Sequence, residues 1–443
     1  MQDIISTRQI KNYRNNKYTI IMKFKGKYIR RTRVKRQQGG RKVGEGGFGC
    51  IVGPAIPCSQ TKKYKADSIS KIIHVRDQED YKQELHIYDL ARKVDPQQKY
   101  ILGIREECLL DIPTALARQP RDIIEAQFTD AKHKGKEYTI IDPGYTHLNN
   151  NNVRKSYCKL DRTLKPRNII MDYGGIDLYD IITNTYSEEF YLCQKFATQI
   201  FKNILIAIKL LHSTKVVHRD IKPENLIYKP VKKIDKKKRR VILFPMVRVI
   251  DLGLAEDISR LDGKNASIRN VTHRGTSGYI PLEIDMLEYI YTLSESYDIN
   301  EPVFKKSVVK DALDTYKDSG LSHAYYLTAT DLQIDSDYES SNTAEHTEKL
   351  KQARIDTEKL FDKFKLELET NQLPGKYFKQ YDGYVYKTDV FALGLTIEKI
   401  AKKLHVLNDK TADLIKHMTE FDPDKRYNIH DCLKHPLFAS KKK

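Results

Sequence analysis

Two short segments near the middle of the chain combine residue types that could do acid–base and metal chemistry. Residues 218–225 read HRDIKPEN, and residues 251–253 read DLG. The carboxylate of Asp220 could accept a proton from a hydroxyl group. Asn225 and Asp251 offer amide and carboxylate oxygens, which are the ligands that Mg²⁺ prefers. The two segments therefore contain residue types that could accept a proton and bind a metal ion.

A glycine-rich segment precedes them. Residues 44–49 read GEGGFG, which matches G-x-G-x-x-G, and Ile51 follows two positions later. Glycines let a backbone turn bring its N–H groups close to phosphate oxygens. A dinucleotide-binding fold would need a helix to begin inside the motif, but residues 51–54 continue as strand and turn. We therefore predict strand, loop and strand, with an ordinary glycine-rich hairpin as the alternative.

At HRDIKPEN the chain resembles the eukaryotic-type serine/threonine protein kinases, whose catalytic loop has this pattern. The resemblance keeps the order of the family over most of residues 41–438. It implies an α+β, bilobal kinase-like fold, with a small β-rich N-lobe, a large helical C-lobe and insertions. It also implies transfer of the γ-phosphate of ATP to Ser/Thr hydroxyls of protein substrates, with Mg²⁺ as cofactor. The insertions and the PLE at residues 281–283 are similar to those of divergent kinases of large DNA viruses.

The resemblance implies a role for each residue of the catalytic segment. Asp220 would accept the proton of the substrate hydroxyl, and Lys222 would reach the transferred phosphate and mark serine/threonine specificity. Asn225 and Asp251 would hold Mg²⁺. Leu252 stands where many kinases have phenylalanine, and it still provides an apolar anchor.

The phosphate-binding lysine of the family has several candidates here. We favour Lys71, because the apolar residues around it suit a strand, and we expect Glu84 on the following helix to be its partner. Glu79 is the alternative to Glu84. The lysines that compete with Lys71 lie in a polar turn and are Lys62, Lys63 and Lys65.

Residues 171–175, MDYGG, resemble the hinge that holds adenine in kinases. Backbone groups of Asp172 and Tyr173 would bind the adenine edge, Met171 would line the pocket, and Asp177 would reach the ribose. A strand end followed by a turn is the alternative explanation. The residues expected around the nucleotide are Val43, Gly44, Glu45, Gly46, Gly47, Phe48, Gly49, Cys50, Ile51, Lys71, Glu84, Asp172, Tyr173 and Asp177.

Residues 275–283, GTSGYIPLE, resemble the end of a kinase activation segment. In the family, a threonine at the position of Thr276 bridges the catalytic acid and lysine. Because Arg219 precedes the catalytic acid, a phosphate on Ser267 or Thr272 could order this segment.

Two further positions match residues that stabilise the kinase fold. Glu283 would form a buried ion pair with Arg426. Asp389 matches the helix residue that braces the catalytic loop.

Hydrophobic periodicity indicates the elements that must position these residues. We expect one long buried helix over residues 190–211, a charged helix over 78–94, and mainly helices from Thr388 onward. Strands are expected at 138–141, 168–171, around 217 and 226, and at 247–250. We expect three divisions of the chain: a basic extension at 1–40, an N-lobe at 41–173 and a C-lobe at 174–443. The N-lobe would carry an insertion at about 113–160. The C-lobe would carry a basic insertion at about 229–240 and an acidic insertion at about 284–385.

The formal net charge of +19 is unevenly distributed. Residues 1–43 hold fourteen Lys or Arg and one acid, whereas residues 284–376 hold nineteen acids and eleven bases. The basic arm is expected to contain a hairpin about Lys25-Gly26. One hypothesis is that the arm contacts an acidic partner, nucleic acid or an anionic surface. The alternative is that the arm is a solvated charged face or lies as a strap across the acidic segment.

Composition narrows the class of protein. Six cysteines lie without C-x-x-C spacing, which fits a reducing compartment and argues against a structural zinc. No apolar run is long enough for a transmembrane helix or a signal peptide. We therefore expect an intracellular protein, most simply cytoplasmic, or one of the host cytoplasm or virion if the chain is viral.

Two other functions stay open on the sequence. One is a kinase-shaped scaffold that uses the arm and the insertions to bind partners; nucleotide binding without turnover would favour it. The other is a kinase for small molecules or lipids. It is disfavoured by Lys222 and by Gly275-Thr276, which in the family serve peptide hydroxyl substrates.

Overall fold

The chain forms two compact units in the computed structural model. One unit contains Met1–His74 and Glu106–Ile170, and the other contains Val75–Arg105 and Met171–Lys443. The described residues are 7–12, 17–24, 27–33, 41–46, 49–53, 55, 58, 68–73, 78–109, 126–129, 137–140, 167–185, 187–235, 240–260, 275–276, 278–284, 355, 359–360, 362–363, 366–367 and 379–439.

The basic arm forms three antiparallel strands of the first unit. They are β1 (Thr7–Asn12), β2 (Lys17–Phe24) and β3 (Lys27–Arg33), in the order β1-β2-β3. Phe24 pairs with Lys27 across the expected turn, so the hairpin predicted in the arm is confirmed. Strand β1 was not predicted, because its alternation of polar and apolar residues is short.

A five-stranded sheet forms the rest of the core of this unit. Its order is β4-β5-β6-β10-β7. The strands are β4 (Arg41–Gly46), β5 (Gly49–Gly53), β6 (Ser68–Ile73), β7 (Ile104–Leu109) and β10 (Arg167–Asp172). A separate antiparallel pair, β8 (Ala126–Thr129) and β9 (Glu137–Ile140), lies within the predicted insertion at 113–160, where the sequence predicted only one strand, at 138–141.

One disulfide departs from the reduced state that the cysteine spacing predicted. Cys58 and Cys108 are joined, with Cα atoms 5.9 Å apart and fifty positions between them in sequence. Both pack beside Ile170 on the sheet. The pairing depends on which strands are neighbours, and local spacing carries no information on that. Cys193 and Cys432 are free and buried.

The second unit is mainly helical. Its helices are α1 (Gln78–Val94), α2 (Leu178–Thr183), α3 (Glu188–Lys195), α4 (Ala197–Ser213), α5 (Tyr384–Lys403), α6 (Asp409–Met418) and α7 (Ile429–Lys434). The predicted bounds of α1 are confirmed. The predicted α+β fold, with a β-rich lobe and a larger helical one, is also confirmed.

The single long helix predicted over residues 190–211 is wrong in one respect. The chain leaves helical geometry at Phe196, with φ −113° and ψ 18°, so α3 and α4 are separate helices. The hydrophobic period continues through this break, which is why the pattern did not reveal it. The ring of Phe196 lies near that of Phe244, with centroids 6.4 Å apart.

Four strands of the second unit frame the expected catalytic segments. They are β12 (Val216–Val217), β13 (Leu226–Asp235), β14 (Arg240–Val249) and β15 (Glu256–Asp257), with β11 (Ile176–Asp177) paired to β13. Strands β13 and β14, of ten residues each, form a hairpin that contains much of the predicted basic insertion. Gly175 has φ +128°, and a Cβ there would lie 2.0 Å from the carbonyl oxygen of Tyr228. The close approach of the backbone at residue 175 to β13 therefore requires glycine.

Part of the predicted acidic insertion belongs to the folded body of this unit. The described residues between 355 and 367 are helical, and Leu360 and Glu367 are buried. Lys363 pairs with Asp422 and with Asp424, the latter at 2.6 Å. These contacts hold the end of the insertion against the loop before α7.

None of the described helices is long and apolar enough to cross a membrane.

A buried ion pair joins the end of the activation segment to the loop before α7. Arg426 donates from Nη1 and Nη2 to the two carboxylate oxygens of Glu283, at 2.5 and 3.2 Å, and both side chains are fully buried. The predicted pair is therefore confirmed. Because such a guanidinium has no access to water, it depends on its carboxylate partner.

We predict that Glu283→Gln lowers the free energy of unfolding by about 3–5 kcal/mol, because it leaves the buried charge of Arg426 uncompensated. Glu398→Gln is the matched control, since Glu398 pairs with Lys402 on a partly exposed helix face at 3.1 Å. That control should cost roughly 0–1 kcal/mol. Denaturant unfolding of the two variants measures both values, and equal stabilities would contradict the prediction.

Candidate active site

One buried carboxylate anchors the backbone of the catalytic segment. Asp389, on α5, is completely buried. Its Oδ2 accepts hydrogen bonds from the backbone N–H of His218 at 2.8 Å and from His212 Nε2 at 2.9 Å. Its Oδ1 accepts from the backbone N–H of Arg219 at 2.8 Å. The predicted bracing of the loop is therefore confirmed, and the constraint holds Arg219 in a left-handed conformation with φ 65°.

Hydrogen bonds keep Asp389 ionised despite its burial. Burial alone would raise its pKa, but the bonds from His212 and from the backbone of His218 bring the pKa below its ordinary value. The loop backbone is thus held by a charged acceptor, which makes stronger hydrogen bonds than a neutral one.

Three side chains meet at Asp220. Asn225 Nδ2 donates to the Asp220 carbonyl oxygen and to Oδ2, each at 2.8 Å. Thr276 Oγ1 donates to Asp220 Oδ1 at 2.5 Å and accepts from Lys222 Nζ at 2.6 Å. Lys222 Nζ also lies 3.0 Å from Asp220 Oδ2. The structure therefore brings together the three predicted catalytic residues, and the predicted bridge by Thr276 is confirmed.

The orientation of Asn225 suits a metal ligand. Asn225 ends the short 3₁₀ turn Pro223–Asn225, and its amide nitrogen is directed at Asp220. Its amide oxygen remains an acceptor for another group. Asp251 follows β14 in a left-handed conformation, with φ 63° and ψ 73°. An amide oxygen and a carboxylate are hard donors that fit Mg²⁺, which takes few protein ligands when it also binds phosphates.

Among the residues that the structure describes, no group of three or more His, Cys, Asp and Glu side chains is arranged to hold a metal ion by itself. Mg²⁺ commonly takes one or two protein ligands together with phosphate oxygens, and Asn225 and Asp251 could supply two such ligands.

Glu84 lies close to the DLG segment. A Cβ placed on Gly253 would be 3.5 Å from Asp251 Oδ1 and 3.6 Å from Glu84 Oε2. Glu84 is buried, on the inner face of α1. The helix assignment of Glu84 is thus supported, while its pairing with Lys71 stays a prediction, because the two residues belong to different compact units.

In the first unit, the glycine segment has the predicted strand, loop and strand form. Gly46 of β4 pairs with Gly49 of β5, and Lys71 of β6 is opposite Ile51. Lys71 is buried and lies on the third strand of the sheet order. The predicted residues carried by β4 and β5 are Val43, Gly44, Glu45, Gly46, Gly49, Cys50 and Ile51; Gly47 and Phe48 lie outside the described residues.

The hinge contains contacts that the sequence did not indicate. The side chain of Asp172 forms an ion pair with Arg105. The carbonyl oxygen of Tyr173 accepts a hydrogen bond from Lys229 Nζ at 3.1 Å. No local pattern marks Lys229, because the β13–β14 hairpin alone brings it here. Adenine binding by backbone groups of Asp172 and Tyr173 stays a prediction.

Asp177 is the N-cap of α2, where its Oδ1 accepts from the backbone N–H of Asp180 at 2.7 Å. Burial raises its pKa, and the neighbouring charges of Asp180 and Glu224 raise it further, against the hydrogen bond from Asp180. The predicted contact of Asp177 with ribose stays a prediction.

Parts of the chain match known proteins in sequence. The family model of the protein kinase domain matches residues 146–299. Mitogen-activated protein kinase 13 of Arabidopsis thaliana is 25% identical over 317 residues, which are 70% of this chain and 69% of that protein. The probable serine/threonine-protein kinase fhkA of Dictyostelium discoideum is 23% identical over 340 residues, which are 69% of this chain and 46% of that protein.

Calcium-dependent protein kinase 22 of Arabidopsis thaliana is 27% identical over 116 residues. The chain thus spans 20% of that protein and 46% of the Dictyostelium kinase. With the fold and the Asp220 cluster, these likenesses make the chain similar to the eukaryotic-type protein kinases over the matched residues.

We predict that Asp389→Asn lowers the free energy of unfolding by roughly 3 kcal/mol at pH 7, because a charged acceptor of three hydrogen bonds is lost. The folded-state pKa of Asp389 lies below its ordinary value of 3.8. The stabilisation is therefore complete above that pH and is lost as the pH falls through the folded-state pKa.

Unfolding of wild type and variant at a series of pH values tests this. The difference should stay constant from neutral pH down to about pH 5 and shrink below about pH 4. A difference that grows with acidity would contradict it. Asp431→Asn, at a partly exposed position of α7, is the control.

Proposed function

We propose that this protein is a serine/threonine protein kinase that transfers the γ-phosphate of ATP to hydroxyl groups of protein substrates. The observation that carries the proposal is the cluster in which Thr276 bridges Asp220 and Lys222. A lysine held within reach of the catalytic acid can follow the transferred phosphate, and a bridging threonine fixes both partners before substrate binds.

Each member of the cluster has a task in phosphoryl transfer. Asp220 orients the substrate hydroxyl and accepts its proton, and Lys222 neutralises charge on the transferred phosphate. Asn225 and Asp251 would hold Mg²⁺, which supplies neutralisation of the nucleotide phosphates when it is bound. Preorganisation favours the transition state, and the hydrogen bonds of Thr276 and Asn225 hold Asp220 and Lys222 before transfer begins.

The first unit contributes the elements expected to bind nucleotide. Its strands β4 and β5 carry the glycine segment, and Lys71 is buried in β6. Backbone N–H groups of such a loop suit phosphate oxygens, and the lysine suits the α- and β-phosphates. The partner of the basic arm, the compartment and the likeness to viral kinases stay predictions.

We predict that Asp220→Asn lowers kcat for labelled phosphate transfer from ATP by about 10²- to 10⁴-fold, because the proton acceptor is lost. Nucleotide affinity should stay near that of wild type, since Asp220 accepts from the substrate hydroxyl. Phosphoamino-acid analysis of a generic protein substrate should show phosphoserine and phosphothreonine. Phosphotyrosine alone would contradict the specificity, and equal rates for wild type and variant would contradict the catalytic assignment.

The carboxylate of Glu224, four residues after Asp220, indicates the kind of peptide that would fit. Glu224 raises the pKa of both Asp177 and Tyr279, after the larger effect of burial on each. Glu224 Oε2 is buried and has no hydrogen-bond partner among the described residues. Glu224 as a residue is partly exposed, so a lysine or arginine of the substrate could pair with its carboxylate.

We predict that peptides with a basic residue near the target hydroxyl have a kcat/KM about tenfold higher than matched acidic peptides, through charge complementarity. Glu224→Gln should reduce this ratio, while Glu398→Gln should not. Measuring kcat/KM for the peptide pair with each variant checks the prediction, and an unchanged ratio in Glu224→Gln would count against it.

A further inference from the structure

Two adjacent acids on β15 connect the start of the activation segment to other parts of the second unit. Glu256 pairs across the strand with Val217 of β12, and Asp257 pairs with Val216. Successive residues of a strand point to opposite faces. Glu256 accordingly contacts the catalytic segment, and Asp257 contacts α1.

The contact of Glu256 is with Arg219, the residue before the catalytic acid. Arg219 Nη2 donates to Glu256 Oε2 at 3.0 Å, and Arg219 Nε donates to the carbonyl oxygen of Leu254 at 2.6 Å. The side chains of Arg219 and Glu256 are 3% and 11% exposed. This is a buried ion pair formed within the folded chain, in which each charge depends on the other.

Asp257 makes the complementary connection. Its Oδ2 lies 2.8 Å from His86 Nε2 on α1, and its Oδ1 accepts from the hydroxyl and backbone N–H of Ser259 at 2.5 and 2.9 Å. Gln83 Nε2 donates to the carbonyl oxygen of Ala255 at 3.3 Å. Strand β15 is therefore fixed on both faces, to the catalytic segment and to α1.

These contacts bear on how the activation segment is held. On the sequence, Arg219 is expected to receive a phosphate attached to Ser267 or Thr272, and that anion would order the segment. In the structure, the carboxylate of Glu256 already gives the Arg219 guanidinium an anionic partner. This carboxylate belongs to the activation segment itself, two residues after Leu254.

We propose that Glu256 is a positioning residue that serves as a built-in anion for Arg219, so that phosphate transfer does not require phosphorylation of the activation segment. This inference rests on the proposed kinase function. Glu256 acts through Arg219, whose backbone N–H is held by Asp389 and whose neighbour is Asp220. The ion pair keeps the start of the activation segment against the catalytic loop, as an added phosphate would in a switched enzyme.

The first test uses the full chain without any variant. The protein is treated with a phosphatase, the phosphatase is removed, and intact mass confirms that no phosphate remains. Initial rates of labelled phosphate transfer from ATP are then compared with those of untreated protein, and the mass is checked again after the assay. We expect the rates to agree within about twofold. A loss of more than about tenfold on dephosphorylation would overturn the inference.

The second test changes the anion. Glu256→Gln should lower kcat by about 10- to 100-fold through misplacement of the catalytic segment. Its KM for ATP should change little, because Glu256 is not assigned to the nucleotide site. Glu256→Asp should recover part of the rate, since it restores the charge. Ser267→Ala and Thr272→Ala, singly and together, should retain the wild-type rate, as should Glu398→Gln.

The outcomes separate the two claims. Wild type that transfers phosphate only when its activation segment is phosphorylated overturns this inference and leaves the kinase function standing. A Glu256→Gln protein with wild-type kcat overturns it too. If Glu256→Gln does not fold, Glu256→Asp and the phosphatase comparison still decide. Wild type that transfers no phosphate in either form overturns the proposed function, and this inference with it.

Discussion

The buried carboxylate of Asp389 is the interaction on which the catalytic centre depends. It accepts backbone hydrogen bonds from His218 and Arg219 and a side-chain bond from His212. A backbone held at two successive N–H groups cannot rotate freely, so the direction of Asp220 is set from the helix α5 beneath it. Asn225, Thr276 and Lys222 then need only short side-chain contacts to complete the cluster.

Buried ion pairs extend this rigidity along the activation segment. Arg219 and Glu256 fix its beginning, while Glu283 and Arg426 fix its end. In both pairs the charges are removed from water. If one partner moved away, the other would be left as an unpaired buried charge. The segment is thus held at two points, and the bridge through Thr276 lies between them in sequence.

Much of the second unit could be predicted from local patterns. The bounds of α1 follow from its amphipathic spacing, and HRDIKPEN locates Asp220, Lys222 and Asn225 without any structure. The break at Phe196 could not be predicted, because the hydrophobic period runs through it. The disulfide between Cys58 and Cys108 forms because the fold brings two distant segments side by side. The spacing of the cysteines along the sequence does not encode that contact.

The sequence by itself determined the chemistry: which residues carry carboxylates, amides and amines, and in what order along the chain. Short motifs suffice for that, because a turn of a few residues fixes their relative positions. Only the tertiary structure decided the partners of the charges, such as Glu256 for Arg219 and Lys229 for the carbonyl of Tyr173. Those contacts join residues far apart in sequence, so only the packing of the surrounding elements brings the partners together, and burial strengthens the bond between Arg219 and Glu256.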